Sequence, residues 1–155
     1  MREMRNKQRL MSRAETEKYL SKETWGVLSV FGDDGYPYGV PMNYAWTEGA
    51  VLLHATSVNS HRLDALRRNA KVCFTVVPVH RIDRANWSTI YASVVLFGTA
   101  EILTDAEEKR AAMRAFMQKL SPEKAEEAML ACDPARADLV MLRIRPDMIT
   151  GKKNG

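Results

Sequence analysis

The chain has 155 residues, 46% of them hydrophobic and 27% charged, with a formal net charge of +4. Length and balance suit one globular domain and exclude a collagen, a disordered tail or a disulfide scaffold, and no apolar run approaches the roughly 18–20 residues that span a bilayer. Arg2, Arg5, Lys7, Arg9 and Arg13 against Glu3 account for the whole charge excess, so the remainder is neutral and gives no case for a polyanionic partner.

Residues 12–22 read as a helix, with Ser12 as N-cap and Glu15 three residues on completing a capping box. Residues 25–31 read as a strand, and Asp33-Asp34-Gly35 as a hairpin turn, because Asp-Gly supplies positive φ. The next strand, Tyr36 to Trp46, has two unlike faces. Tyr36, Tyr38, Val40, Met42, Tyr44 and Trp46 are bulky; Pro37, Gly39, Pro41, Asn43 and Ala45 are small or polar. Its two prolines lack donors, which suits an edge or bulged strand.

After the turn Thr47-Glu48-Gly49, residues 51–55 form a third strand. Asn59-Ser60 then caps a short helix over residues 60–69, and a fourth strand covers 72–79. A polar loop at 80–86 leads to a long fifth strand at about 89–103, with Gly98 as a bulge. Asp105 caps a helix to about 119, and Ser121-Pro122 opens another, with Ser as its N-cap. The last strand, 139–145, stops at Pro146. Strands and helices do not alternate regularly. A mainly β, mostly antiparallel barrel with helices over its ends is therefore expected, one domain over residues 1–155 with a basic arm at 1–11.

The arm is not followed by an apolar run, since Leu10-Met11 gives way to Ser12-Arg13-Ala14-Glu15, so no secretory signal is expected. Cys73 and Cys132 lack CxxC spacing, and Cys73 in its apolar run reads as a small buried hydrophobe. A cytoplasmic location is expected. His54, His61 and His80 lack zinc-ligand spacing, and no dinucleotide, serine-hydrolase or paired-carboxylate signature is present.

Three features can carry chemistry. The small face of the Tyr36–Trp46 strand would let a flat ligand approach the backbone, with Asn43 as donor and acceptor; packing against a neighbour is the alternative. His61 and Arg62 stand in the first turn of a capped helix, where cations oppose the helix dipole unless an anion binds; a solvated basic face is the alternative. Thr150-Gly151-Lys152-Lys153 is weaker and by default is a frayed basic tail.

Gly26-Val27-Leu28-Ser29-Val30, residues 34–44 with Gly35-Tyr36-Pro37-Tyr38-Gly39-Val40-Pro41 at their centre, His61-Arg62-Leu63-Asp64, Ser93 to Gly98 and Ile149-Thr150-Gly151-Lys152 occur in that order. The pattern resembles the nitroimidazole-resistance (Nim) family of pyridoxamine 5′-phosphate oxidase-like split barrels. The resemblance implies a six-stranded antiparallel Greek-key split barrel with flanking helices, a homodimer binding FMN at its subunit interface. By position, Val40, Pro41, Met42 and Asn43 would line the isoalloxazine ring, with His54 and Ala55 beside it. Ser60, His61 and Arg62 would hold the phosphate. Ser93 and Val94 would touch the flavin, with Tyr91 nearby, and Lys152 would reach the ring or phosphoribityl chain, including that of the partner's site. This chain has Ser60-His61-Arg62 where the family has Gly-His-Lys, and arginine suits phosphate by paired hydrogen bonds. Ser57 stands near where the family often carries a basic residue.

The activity implied is an FMN-dependent reductase passing electrons from a reduced nicotinamide to a small aromatic or nitro-aromatic substrate, with His54 as the catalytic candidate. A non-enzymatic flavin or haem binder is the second reading. A nucleic-acid-binding barrel is disfavoured, because no Lys or Arg interleaves with the aromatic face of 36–46.

Overall fold

The computed structural model describes residues 3–56, 59–131, 133, 136 and 138–155. Arg2, Ser57 and Cys132 lie outside the described residues. Six antiparallel strands close into a barrel: β1 (Trp25–Phe31), β2 (Pro37–Thr47), β3 (Ala50–Ala55), β4 (Lys71–Asp83), β5 (Ser88–Ile102) and β6 (Val140–Asn154). Their order around it is β1-β2-β3-β6-β5-β4, a Greek key made by two meanders whose links carry helices. The helices are α1 (Arg13–Lys22), α2 (His61–Arg68), α3 (Ala106–Leu120) and α4 (Ala125–Ala131).

Alternation fills the barrel. Leu28, Tyr44, Leu53, Phe74, Leu96, Leu142 and Ile144 point inward and are fully buried. Tyr44 stands edge-on to Phe74 and donates its hydroxyl hydrogen to the carbonyl of Leu20 at 2.8 Å, which ties α1 to the barrel. Met113 and Phe116 of α3 make a second cluster outside it, over Ala45, Leu52 and Met141.

Local signals act as their chemistry dictates, with instructive departures. Ser12 Oγ accepts from the Glu15 N–H at 3.2 Å, but the Glu15 carboxylate takes Lys153 Nζ at 2.7 Å, so α1 is capped and also clamped to β6. Ser121 does not cap; its hydroxyl bonds the Glu123 carboxylate, and Pro122–Lys124 is a 3-10 turn before α4. Residues 80–83, expected in a loop, extend β4, because Val79 to Asp83 pair with Ala92 to Ser88 beyond a bulge.

Pro146 does not end β6. The β5–β6 register shifts between Phe97 and Gly98, leaving Asp147 as an extra residue, and the proline is absorbed in that bulge. A methyl group at Gly98 would collide with the Arg145 carbonyl oxygen, so the bulge needs glycine. The segment 150–153, expected to fray, is paired with β5 through Ser93↔Lys152 and Ala92↔Lys153.

Candidate functional site

The barrel opens along one edge of β2. That strand pairs with β3 only over Tyr44 to Thr47, while Pro37 to Asn43 pair with β1 alone. Both prolines fall on this one-sided stretch, where a missing donor costs least. Pro37, Gly39, Pro41 and Asn43 are exposed, so the small face is the outer one. Val40 and Met42 turn inward against the core. Of the four β2 residues expected to line a flat ligand, Pro41 and Asn43 offer side chains and Val40 and Met42 offer backbone. Asn43 Nδ2 donates to the Thr24 carbonyl at 3.2 Å, which fixes its amide.

The end of β3 leads to α2. His54 and Ala55 pair with Met141 and Val140 of β6. Ala55 is buried. His54 lies near Phe116, ring centroids 6.0 Å apart, and with Thr56, Asp133, Arg136, Asp138 and Leu139 lines a cavity of about 180 Å³. Burial first, and the charge of Arg62 second, push its imidazole below the ordinary value of 6.5, so it is neutral at pH 7.

Ser60 caps α2, its Oγ accepting from the Leu63 N–H at 3.3 Å. Helix geometry leaves the N–H groups of His61 and Arg62 without intrahelical acceptors. The two side chains diverge. His61 stacks on Tyr38 and sets Nε2 3.3 Å from Asp33 Oδ1, a carboxylate also bound by Arg68. Arg62 acts on His54, and its Nε is buried with no hydrogen-bond partner. A buried unpaired donor costs about 1–3 kcal/mol, which an anion reaching this nitrogen would offset. The exposed small face, the open helix start and this orphaned nitrogen fit a flat ligand bearing a phosphate.

Ser93 and Lys152 face each other across β5 and β6. Val94 is 0% exposed and its side chain belongs to the core, so only its backbone could meet a ligand. Lys152 Nζ lies 5.4 Å from the ring centroid of Tyr91. This pair is remote from His54 within the chain. His54 stands opposite Met141, and Lys152 follows eleven residues along β6, about 36 Å of strand at roughly 3.3 Å per residue. One chain thus holds His54 and Arg62 in one place and Ser93 and Lys152 in another, with Asn43 on the outer face of β2.

Between them runs an apolar outer face. Pro41, Val27, Thr75, Val95 and Thr150 form one row across β2, β1, β4, β5 and β6, and Gly39, Ser29, Cys73, Phe97 and Met148 the next. Four strand spacings make each row about 19 Å long, measured around the curved barrel wall. Phe97, within the second row, is 38% exposed, and Trp25 and Phe31 at the margins are 53% and 61% exposed. A cavity of about 380 Å³ opens there, lined by Phe31, Tyr36, Pro37, Lys71, Cys73 and Phe97 among others.

Sequence reasoning missed Asp33, read only as a turn residue, and Arg9. Asp33 meets His61 and Arg9 meets the Tyr91 hydroxyl, contacts far apart in the chain that no local pattern marks. Among the described residues no group of three His, Cys, Asp or Glu side chains is placed to hold a metal ion, and no helix is long and apolar enough to cross a membrane.

A six-stranded Greek-key barrel, opened along one strand and capped by helices, is a split barrel. Residues 12–153 match the model of the pyridoxamine 5′-phosphate oxidase family, and the chain belongs to that family. Solved structures share the fold. A candidate 5-nitroimidazole antibiotic resistance protein from Bacteroides thetaiotaomicron is 23% identical, with a TM-score of 0.78 over 92% of this chain and 85% of its own. An FAD-binding protein from Mesorhizobium loti is 24% identical, with a TM-score of 0.71 over 95% and 98%. The FAD and haem binding protein of Mycobacterium smegmatis is 21% identical, with a TM-score of 0.75 over 92% and 71%. No curated protein matches the chain.

Proposed function

We propose that the protein is an FMN-dependent oxidoreductase that reduces a small aromatic or nitro-aromatic compound with electrons from a reduced nicotinamide, and that it acts as a homodimer. The observation that carries this reading is the buried, partnerless Nε of Arg62 at the start of α2, in a chain whose β2 also turns a small, exposed face outward. Family membership and the flavin-binding proteins of the same fold support it.

In this reading Arg62 and the first N–H groups of α2 hold the phosphate, and Ser60 fixes the turn that presents them. Pro41 and Asn43 lie against the ring, and the backbone of Val40 and Met42 follows its edge. Ala55 packs beneath. His54, neutral at pH 7, accepts or relays a proton at the substrate end. The flavin, when bound, supplies reversible two-electron chemistry; the protein orients it and sets the charge around it.

The separation of His54 and Arg62 from Ser93 and Lys152 supports the homodimer reading. Two copies packed through the apolar face would bring Ser93 and Lys152 of one chain to Asn43 and His54 of the other. Contiguous exposed apolar surface of this kind marks an interaction site.

The test is the absorbance spectrum of purified protein with and without added FMN, followed by steady-state oxidation of reduced nicotinamide with a nitroimidazole acceptor. Flavin uptake with turnover is expected. Uptake without turnover would leave a flavin carrier, and no uptake would overturn the reading.

A further inference from the structure

The N-terminal arm is not loose. Asn6 caps a 3-10 turn at Lys7–Arg9, Leu10 makes a backbone bridge to Lys152, and the Met11 N–H donates to the Gly151 carbonyl at 3.0 Å with Met11 itself buried. These contacts fix the backbone on either side of Arg9. Its Nη1 then reaches the Tyr91 hydroxyl at 3.4 Å, while Lys152 Nζ lies over the same ring. Two cations, brought from the two ends of the chain, share one phenol.

Their neighbours show how unusual that is. Lys153 pairs with Glu15, Arg13 with Glu17, Lys71 with Asp147, and Arg143 with Glu101 and Glu108. Among the described residues neither Arg9 nor Lys152 ion-pairs with a carboxylate. Both are half-buried, so solvent screens their mutual repulsion less than it would in water. Lys152 first, then Arg9, hold the Tyr91 phenol below its ordinary value. A fold that gathers two positive charges around a hydroxyl, without a counter-charge, is complementary to an anion with several oxygen acceptors.

We propose that Arg9, Tyr91 and Lys152 form a receptor for an oxyanion, the carboxylate or phosphate of a bound small molecule. Lys152 supplies a point charge, Arg9 a planar fork of donors, and Tyr91 a hydroxyl that turns from accepting to donating when the anion arrives. The cluster exists in the single chain. Its placement beside the flavin rests on the dimer proposed above, in which Tyr91 and Lys152 share the outward face of β5 and β6 with Ser93. The oxyanion then comes either from the phosphate of FMN or from an acidic substituent on the second ligand. In both cases the basic arm becomes part of a binding site.

Calorimetry on wild-type protein and on Arg9→Gln, Tyr91→Phe and Arg9→Gln/Lys152→Gln, at constant ionic strength, decides it. The probes are FMN, inorganic phosphate, benzoate and its neutral isostere benzamide, with circular dichroism to establish folding. At least a ten-fold loss of affinity for FMN, phosphate or benzoate in the double variant is expected, with benzamide unmoved. Loss confined to FMN assigns the oxyanion to the flavin phosphate, and loss for benzoate or phosphate on FMN-loaded protein assigns it to the second ligand. Affinities within two-fold of wild type for all three anions, in folded variants including Tyr91→Phe, would overturn the proposal. Wild type that takes up no FMN but binds phosphate through Arg9 would sink the flavin reading and leave the receptor standing.

Discussion

The imidazole of His61 lies flat on the ring of Tyr38, centroids 4.5 Å apart and planes within 14°. This contact turns the first residue of α2 toward the β1–β2 hairpin, where Asp33 meets it, and leaves Arg62 as the side of the helix start that faces His54. One of the three residues expected to hold the phosphate is thus engaged by a carboxylate of its own chain.

Asp33→Asn removes that competing negative charge from His61 and Arg68. The pairs it breaks are exposed, so folding stability should change by less than about 1 kcal/mol. FMN affinity should rise, by up to about five-fold for an electrostatic gain of that size. Fluorescence quenching of added FMN measures it; weaker binding would mean that Asp33 orders the site instead of blocking it.

Arg62→Met keeps much of the side chain's apolar bulk and removes the partnerless buried nitrogen. Two opposite effects are expected. FMN affinity should fall by at least ten-fold, since a charge-assisted hydrogen bond contributes about 1.5–3 kcal/mol. Flavin-free stability in urea should hold or rise, because no buried donor is left unpaired. Loss of stability together with unchanged FMN binding would make Arg62 a structural residue.

His54 sets a pH dependence. Its imidazole titrates below 6.5 in the folded chain because of burial and Arg62. Between the folded and unfolded values the unfolded state binds the extra proton, so stability rises with pH through that window and is lost as pH falls from 6.5 toward the lower folded value. His54→Gln should flatten that part of the profile. Urea unfolding of both proteins across pH 5 to 8 tests this, and parallel profiles would refute it.

Gly98→Ala should destabilise the barrel by about 1–3 kcal/mol, because the added methyl meets the backbone carbonyl of Arg145 and not a yielding side chain. The thermal midpoint reads the loss.

Phe97→Glu places a charge in the middle of the outer face without touching the core. If that face joins two copies, sedimentation velocity should show a monomer, with secondary structure intact and FMN affinity reduced because each site loses its partner's Ser93 and Lys152. A variant that remains a dimer would move the interface elsewhere.

The sequence alone determined the elements whose signals are local. Alternating side chains defined the strands, Ser12, Ser60 and Asp105 capped their helices, Asp34-Gly35 turned the hairpin, and the Tyr36–Trp46 strand announced two unlike faces. Those signals act within a few residues, so they can be read in order. Tertiary structure decided what depends on a distant partner. Pro146 reads as a stop, but the bulge opposite Gly98 accommodates it. Residues 80–83 read as part of a polar loop and 150–153 as a frayed tail, but β5 offers each a row of backbone partners. At the site, Ser60-His61-Arg62 was legible as a capped basic turn. The diversion of His61 to Tyr38 and Asp33, and the meeting of Arg9 with Lys152, were not, because those contacts join residues from twenty to more than a hundred positions apart. Spacing along a chain encodes helix and strand faces; it does not encode which charges a closed barrel will bring together.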